Sequence, residues 1–340
     1  MRIDISHLTL PEDFDSVSDM YIPEDMPVAG IIYPVAQEIW KRPDFNDVVL
    51  FLLEEAKKKN KLEFSLELVH EEKRVIFRGH SIKSIEGKVY IFRRLPSYVP
   101  DIEDLGMPKS ILELLLHKRL NSGGLVLIAG ETGQGKSTTA AATIAYRLKN
   151  HASFCLTIED PVEMPLQGFY ENENGQQGVC FQTYAEGEDV IAAIKSSLRC
   201  YPAKSNSILF LGETRDALMA SEVLKIAANG HLVVTTMHGG DLMTSLKRFI
   251  TLAMSAPGAV ENDVRSLFSS VFRLMMHQRI EVLNNGTKKL RPQVLFSPSP
   301  SGAIASKFRT GNLEMLATEI QTQNAILLKG GSIADLFDKT

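Results

Sequence analysis

Cysteine is scarce in this sequence, and its few cysteines show no pairing pattern. The 340 residues contain three, Cys155, Cys180 and Cys200, which lie far apart and form no C-x-x-C pair. Three residues are too few for a tetracysteine zinc site, and cysteines so spaced do not make a disulfide framework. We therefore expect reduced thiols, as in a cytoplasmic protein.

Long apolar runs are also missing. No stretch approaches the roughly 18 uninterrupted apolar residues that a membrane-spanning helix needs. The first residues, MRIDISHLTLPEDFDS, are acidic and lack the continuous apolar segment of a secretory signal. If the protein works at a membrane, we expect it to act from the cytosolic side through a partner.

The chain has no excess of positive charge. Lys and Arg number 37 against 41 Asp and Glu, so the formal net charge is −4. No stripe of basic and aromatic residues is visible, and we expect no direct contact with nucleic acid. Hydrophobic residues make up 44% and charged residues 23%, which is typical of globular proteins and excludes a disordered chain.

The length suggests two domains, and the segment PSYVPDIEDLGMP separates them. We predict an α+β domain over residues 1–97, a linker over 98–109 and a second domain over 110–340. In the first domain, FNDVVLFLLEEAKKKN predicts an amphipathic helix, and LEFSLELVHEEKRVIFRGHSI and KVYIFRRL predict antiparallel strands. One strand face is expected to carry Leu62, Phe64, Leu66 and Leu68.

The second domain has four apolar runs of buried-strand length, LVLIAG, FCLTIE, ILFLGE and HLVVTTMH, separated by helical segments. This alternation predicts a parallel, doubly wound α/β sheet. The runs end at Gly130, Glu159, Glu213 and His238, and ligands bind outside the carboxyl ends of such strands. Beyond residue 245, SLKRFITLAM and NDVRSLFSSVFRLMMHQRI are interpreted as helices, and NLEMLATEIQTQNAILLKGG as a helical tail that docks on this domain.

GETGQGKS matches the phosphate-binding pattern G-x-x-x-x-G-K-[ST], with a strand run before it and an alanine-rich helix after it. The glycines allow a tight turn whose N–H groups converge on phosphates, and the helix N-terminus favours an anion. Lys136 is expected to reach the β- and γ-phosphates of ATP, and Ser137 to bind Mg²⁺. The predicted nucleotide-binding residues are Gly130, Glu131, Thr132, Gly133, Gln134, Gly135, Lys136, Ser137 and Thr138.

Carboxylates follow the next two runs. We assign Glu213 as the general base, and Glu159 to the metal shell or to water positioning. An acid after a strand also serves as a helix cap, and this alternative stays open for both residues and for their neighbours Asp160 and Glu163. His238 is a candidate for sensing or binding the γ-phosphate, or is a satisfied polar histidine.

Taken together, GETGQGKST, TIEDPVE, ILFLGETRD and GHLVVTTMH resemble the Walker A, Asp, Walker B and His boxes of the secretion ATPase superfamily. Within it, the likeness is greatest to PilT-type pilus retraction ATPases and DotB-type type IV secretion ATPases. The resemblance extends to an opening strand (VSDMYI), the linker, the C-terminal helices and the tail, and so covers most of the chain.

The resemblance implies a RecA-like P-loop NTPase core with an N-terminal PAS-like domain, assembled as a homohexamer. It implies ATP between the two domains, with Arg78 and Arg93 completing the site. The ring would hydrolyse ATP and pass force to a platform protein at the cytoplasmic face of the inner membrane. We thus expect a pilus retraction motor.

Two alternatives stay open. The same enzyme would also serve type IV secretion or conjugation. The segment LRCYPAKSNS lacks the acidic pair that many relatives carry before Walker B, which favours a nucleotide-gated scaffold with little hydrolysis. After His238, the chain has Gly239, Gly240 and Asp241 where the family usually has small hydroxyl residues or asparagine.

Overall fold

The computed structural model describes residues 2–185, 189–203, 205–282 and 288–328. It divides into two units, Met1–Tyr98 and Val99–Thr340. Residues 1, 204 and 329–331, which belong to segments named in the sequence analysis, lie outside the described residues. Across the described ranges, no helix is both long and apolar enough to cross a membrane.

The first unit contains one helix of four turns and one mostly antiparallel sheet. Its elements in chain order are β1 (Arg2–Asp4), β2 (Asp19–Pro23), β3 (Ile31–Ile32), β4 (Gln37–Glu38), α1 (Asn46–Lys59), β5 (Glu63–His70), β6 (Lys73–Ser84) and β7 (Gly87–Leu95). The order across the sheet is β1-β5-β6-β7-β2-β3-β4, and only the β1–β5 pair is parallel.

The predicted amphipathic helix and the predicted strand with alternating apolar residues are confirmed as α1 and β5, with one correction. Phe64, Leu66 and Leu68 point into the core, but Leu62 is exposed because β5 begins only at Glu63. Helix α1 ends in three lysines followed by Asn60 in the left-handed conformation, so cations lie where the helix dipole favours them.

The second unit is an α/β layer structure around a mixed sheet. Its strands are β8 (Gly124–Gly130), β9 (Ser153–Glu159), β10 (Gly168–Glu171), β11 (Gln177–Tyr184), β12 (Asn206–Leu211), β13 (Leu232–His238), β14 (Phe272–Val282) and β15 (Lys288–Phe296). Its helices are α2 (Lys109–Leu116), α3 (Lys136–His151), α4 (Asp189–Ser197), α5 (Ala217–Ala228), α6 (Leu242–Met254), α7 (Glu261–Val271), α8 (Ala303–Thr310) and α9 (Leu316–Leu328).

The order across this sheet is β10-β11-β9-β12-β13-β8-β14-β15. The six central strands are parallel, and β10 and β15 run antiparallel at the two edges. Residues of β8 alternate between two cores: Leu125 and Leu127 face one, and Val126 and Ile128 face the other. Burial on both faces explains why the four predicted strands are nearly continuous apolar runs.

The prediction that NDVRSLFSSVFRLMMHQRI is helical throughout is wrong. Helix α7 ends at Val271, and Phe272 begins β14, which pairs with β8 and β15. The residues from Leu274 to Gln278 are all buried in the sheet. A short apolar run fits a buried strand as well as a buried helix, so pairing with β8 decided the outcome.

The tail docks on the second unit, as expected for its described part. Asn324 of α9 donates to Val294 O at 3.0 Å and accepts from Val294 N at 3.1 Å. Ile102 and Met107, in the segment predicted as a linker, are buried in a core of the same unit.

Candidate active site

The phosphate-loop sequence forms a turn between β8 and α3. Strand β8 ends at Gly130 and the helix begins at Lys136, as the motif predicts. Gly133 and Gly135 have φ of 77° and 74°, a conformation that residues with a Cβ rarely adopt. Because the N–H groups of the first helical turn have no intrahelical partner, this turn presents donors suited to phosphate.

Lys136 and Ser137 follow directly. The Lys136 side chain is buried, and its Nζ donates to Glu131 O at 2.9 Å. Burial lowers the pKa of Lys136, and the charges of Glu213 and Glu163 oppose this shift. The Ser137 hydroxyl donates to the Glu163 carboxylate. The sequence assigns Glu159 to the metal shell, but the acid in hydrogen-bond contact with Ser137 is its neighbour Glu163.

Glu159 is the last residue of β9, and 3% of its surface is exposed. Burial raises the pKa of Glu159 to about 7, although hydrogen bonds from Thr157 and Gln182 oppose the shift. On the neighbouring strand tip, Gly212 leaves room for this side chain, since a Cβ there would lie 3.3 Å from Glu159 Cγ. Glu159 is thus a buried acid whose pKa lies well above its usual range.

Gln182 on β11 was missed by the sequence reasoning. Its Nε2 donates to Glu159 Oε1 at 2.9 Å and to Met164 O at 2.8 Å. Its Oε1 accepts from the N–H groups of Leu166 and Gln167, both at 2.8 Å. One amide therefore orients Glu159 and anchors the following loop. The signal that predicts its strand is the β-branched and aromatic content of VCFQTY.

Glu213 lies just beyond the end of β12, and its two carboxylate oxygens contact two different side chains. Its Oε1 lies 3.2 Å from His238 Nε2, and its Oε2 accepts from Arg215 Nε at 2.9 Å. Arg215 also donates to Asp160 O at 3.0 Å. Burial lowers the pKa of Arg215, but its hydrogen bond to Glu213 and the nearby carboxylate charges outweigh this effect and raise it.

The strand register brings the tips of β8, β12 and β13 together. His238 is paired with Gly130, and Gly239 N donates to Gly130 O at 3.3 Å. Thr236 Oγ1 donates to Gly212 O at 2.6 Å, which joins the tips of β13 and β12. The phosphate loop, Glu213 and His238 therefore lie at one end of the sheet, the arrangement predicted for parallel strands.

The unusual residues after His238 have local structural roles. Asp241 caps α6, accepting from Thr244 N at 2.8 Å. A Cβ at Gly239 would lie 1.8 Å from Ser245 Oγ, so the close approach of α6 requires glycine there. Asp216 similarly caps α5 through Met219 N at 2.9 Å.

Arg78 and Arg93 lie in the first unit, on β6 and β7, where they are paired directly across the two strands. Arg78 lies 3.8 Å from Glu63, and Arg93 lies 2.8 Å from Asp19. Their assignment to the site stays a prediction.

Within the described ranges, no three His, Cys, Asp or Glu side chains are grouped as a metal site. A Mg²⁺ ion that accompanies a nucleotide takes one or two protein oxygens, with phosphates and water as its other ligands. The Ser137 hydroxyl and the Glu163 carboxylate beside the loop fit that donor set.

Comparison with known proteins gives consistent matches. The family described as "Type II/IV secretion system protein" matches residues 54–333. Uncharacterized protein YggR of Escherichia coli is 30% identical over 267 residues, covering 77% of this chain and 73% of that protein. The type IV pilus retractation ATPase PilT of Pseudomonas aeruginosa is 29% identical over 255 residues, covering 74% and 67%. The chain thus spans about two thirds to three quarters of these relatives.

Solved structures agree on the fold. The pilus retraction motor PilT with bound ADP superposes with a TM-score of 0.70 at 23% identity, covering 95% of this chain and 93% of that one. The Legionella pneumophila ATPase DotB gives a TM-score of 0.65 at 17% identity, covering 98% and 92%. At these identities, the likeness shows the shared α/β ATPase fold.

Proposed function

The chain belongs to the type II/IV secretion system protein family, and on that premise we propose that it is a Mg²⁺-dependent ATPase that works as a hexameric motor for type IV pilus retraction. The pilus assignment is supported by relatives named for it, PilT at 29% identity and PilU of Pseudomonas aeruginosa at 35% over 164 residues. PilU is covered over 38% of its length.

The observation that carries the enzymatic proposal is the placement of Glu213. Its carboxylate lies beside His238, whose strand is paired with the strand that leads into the phosphate loop. A carboxylate at this distance from an imidazole and a guanidinium is oriented at both oxygens, as a base that positions an attacking water requires. In this proposal, Lys136 neutralises phosphate charge and Ser137 and Glu163 support the metal.

The remaining expectations are part of the same proposal. Arg78 and Arg93 complete the site in the ring, and Glu159 holds the metal's water. The ring acts at the cytoplasmic face of the inner membrane on a platform protein. Bound Mg²⁺ would supply charge neutralisation for the phosphates.

The test measures phosphate release and nucleotide binding for the wild-type chain and for three single variants, Lys136→Ala, Glu213→Gln and Glu173→Gln. Glu173 is an exposed acid in the turn between β10 and β11 and serves as the matched control. We expect Lys136→Ala to lose activity and Glu213→Gln to bind ATP but lose roughly 10²–10⁴-fold in rate. Normal hydrolysis by both variants would contradict the assignment, and a wild-type protein without turnover would favour the scaffold alternative.

Deletion of the gene tests which system the ATPase serves, pilus retraction or secretion. Pili that are retained but no longer retract support the proposed motor. Blocked export of a protein or DNA substrate with normal pili would instead assign the ATPase to secretion or conjugation.

A further inference from the structure

The carboxyl-terminal part of β14 lies directly against the phosphate loop. The parallel register pairs His277 with Ala129, which places Gln278 beside Gly130 at the start of the loop. The approach is close, because a Cβ at Gly130 would lie 2.7 Å from Gln278 O. The loop therefore rests on a strand that lies far from it in the sequence.

Two hydrogen bonds join this strand to the middle of the loop. Gln278 Nε2 donates to Gln134 O at 2.5 Å, and Ile280 N donates to Gln134 Oε1 at 2.5 Å. Gln134 is a freely variable position of the phosphate-binding pattern. Both its main chain and its side chain are thus held by β14. On the next residue, a Cβ at Gly135 would lie 3.4 Å from Gln278 Nε2.

Packing alone does not account for a glutamine at position 278. The residue is completely buried, and its Oε1 has no hydrogen-bond partner among the described residues. A buried amide oxygen without a partner costs stability, and an apolar side chain of equal length would avoid that cost. Strained or unsatisfied groups of this kind concentrate at functional sites.

We propose that Gln278 is a positioning residue for the bound nucleotide, and the inference rests on the ATPase function proposed above. Its amide holds the Gln134 carbonyl, and with it the peptide groups between Gly133 and Lys136, in the conformation that directs their N–H groups to phosphate. The residue acts through the loop rather than on the reacting atoms. Loss of the amide should therefore weaken nucleotide binding and leave the chemical step nearly unchanged.

The experiment uses Gln278→Met in the full chain, because methionine keeps the length and apolar volume but donates no hydrogen bond. Binding of ADP and the KM and kcat for ATP are measured. We expect the Kd for ADP and the KM for ATP to rise about tenfold, the effect of roughly one lost hydrogen bond to an organised loop, with kcat within about twofold of wild type. Gln134→Met should shift both constants in the same direction.

The chain offers a matched control. Gln323 is also buried, and its amide forms hydrogen bonds to the main chain of a strand: it donates to Phe296 O and accepts from Phe296 N, at 3.0 Å each. Phe296 is paired with Leu274, near the end of β14 that lies away from the loop. Gln323→Met removes comparable side-chain hydrogen bonds to a strand and should leave the Kd for ADP unchanged.

Three outcomes would overturn the proposal. These are wild-type ADP affinity in Gln278→Met, equal weakening by Gln323→Met, or a fall in kcat with no change in KM. If Gln278→Met does not fold, Gln278→Leu, which also lacks the amide that donates to Gln134 O, is measured in its place, and unchanged ADP affinity in that variant overturns the proposal. Wild-type protein that binds no ADP would refute the ATPase function itself, which distinguishes the two failures.

Discussion

Replacing Glu159 by glutamine is expected to stabilise the protein at alkaline pH while it slows ATP hydrolysis. Glu159 is buried, and burial raises its pKa from 4.5 to about 7. Between these two values, the folded state keeps a proton that the unfolded state has lost. The free energy of unfolding therefore falls as the pH rises from about 4.5 to about 7, and the contribution of Glu159 is greatest at low pH.

The size of the effect follows from the same values. The difference between 4.5 and about 7, at about 1.36 kcal/mol for each pH unit, is about 3 kcal/mol. Glutamine carries no charge at any pH, and its amide oxygen still accepts the hydrogen bond from Gln182. The Glu159→Gln variant should match wild type at pH 4 and exceed it by about 3 kcal/mol at pH 8. Such a gain at the expense of activity is common at functional sites.

Urea unfolding of the full chain without nucleotide, followed by far-UV circular dichroism at pH 4, 6 and 8, measures this difference. Phosphate release is assayed in parallel, where we expect a loss on the order of 10²-fold, because a neutral amide oxygen binds a metal-bound water more weakly than a carboxylate and cannot take up its proton. The reasoning is refuted if the variant and wild type differ by the same amount at every pH, or if wild type is the more stable at pH 8.

Two further substitutions test the neighbours of the acids. Gln182→Met removes a hydrogen bond that favours the ionised form of Glu159, so the pKa of Glu159 should rise above about 7. The acid limb of the pH–rate profile should then move to higher pH. A limb at the wild-type pH would show that Gln182 does not tune the pKa of Glu159. Arg215→Gln should lower kcat about tenfold with KM unchanged, because it frees one Glu213 oxygen. Arg215→Lys should not restore the rate, because a lysine cannot make both contacts of the guanidinium, to the Glu213 carboxylate and to Asp160 O. A wild-type rate in Arg215→Lys would mean that a positive charge alone is enough to orient Glu213.

The features that the sequence alone determined are local. The phosphate loop needs a strand, two or three glycines, a lysine and a helix in immediate succession, and all are present between Gly124 and His151. The parallel arrangement of the four apolar runs then places their carboxyl ends together. From these facts, the proximity of Glu213, His238 and the loop was predictable before any coordinates.

The tertiary structure decided whatever depends on contacts between distant residues. Gln278 and Gln134 are 144 positions apart, and the apolar run containing Gln278 has no periodicity that separates helix from strand. The contact of Ser137 with Glu163, which the sequence did not predict, depends on a loop that Gln182 of another strand holds in place. Sequence spacing determines which residues share a strand end, but the direction of a side chain depends on the neighbours that the sheet order brings to it.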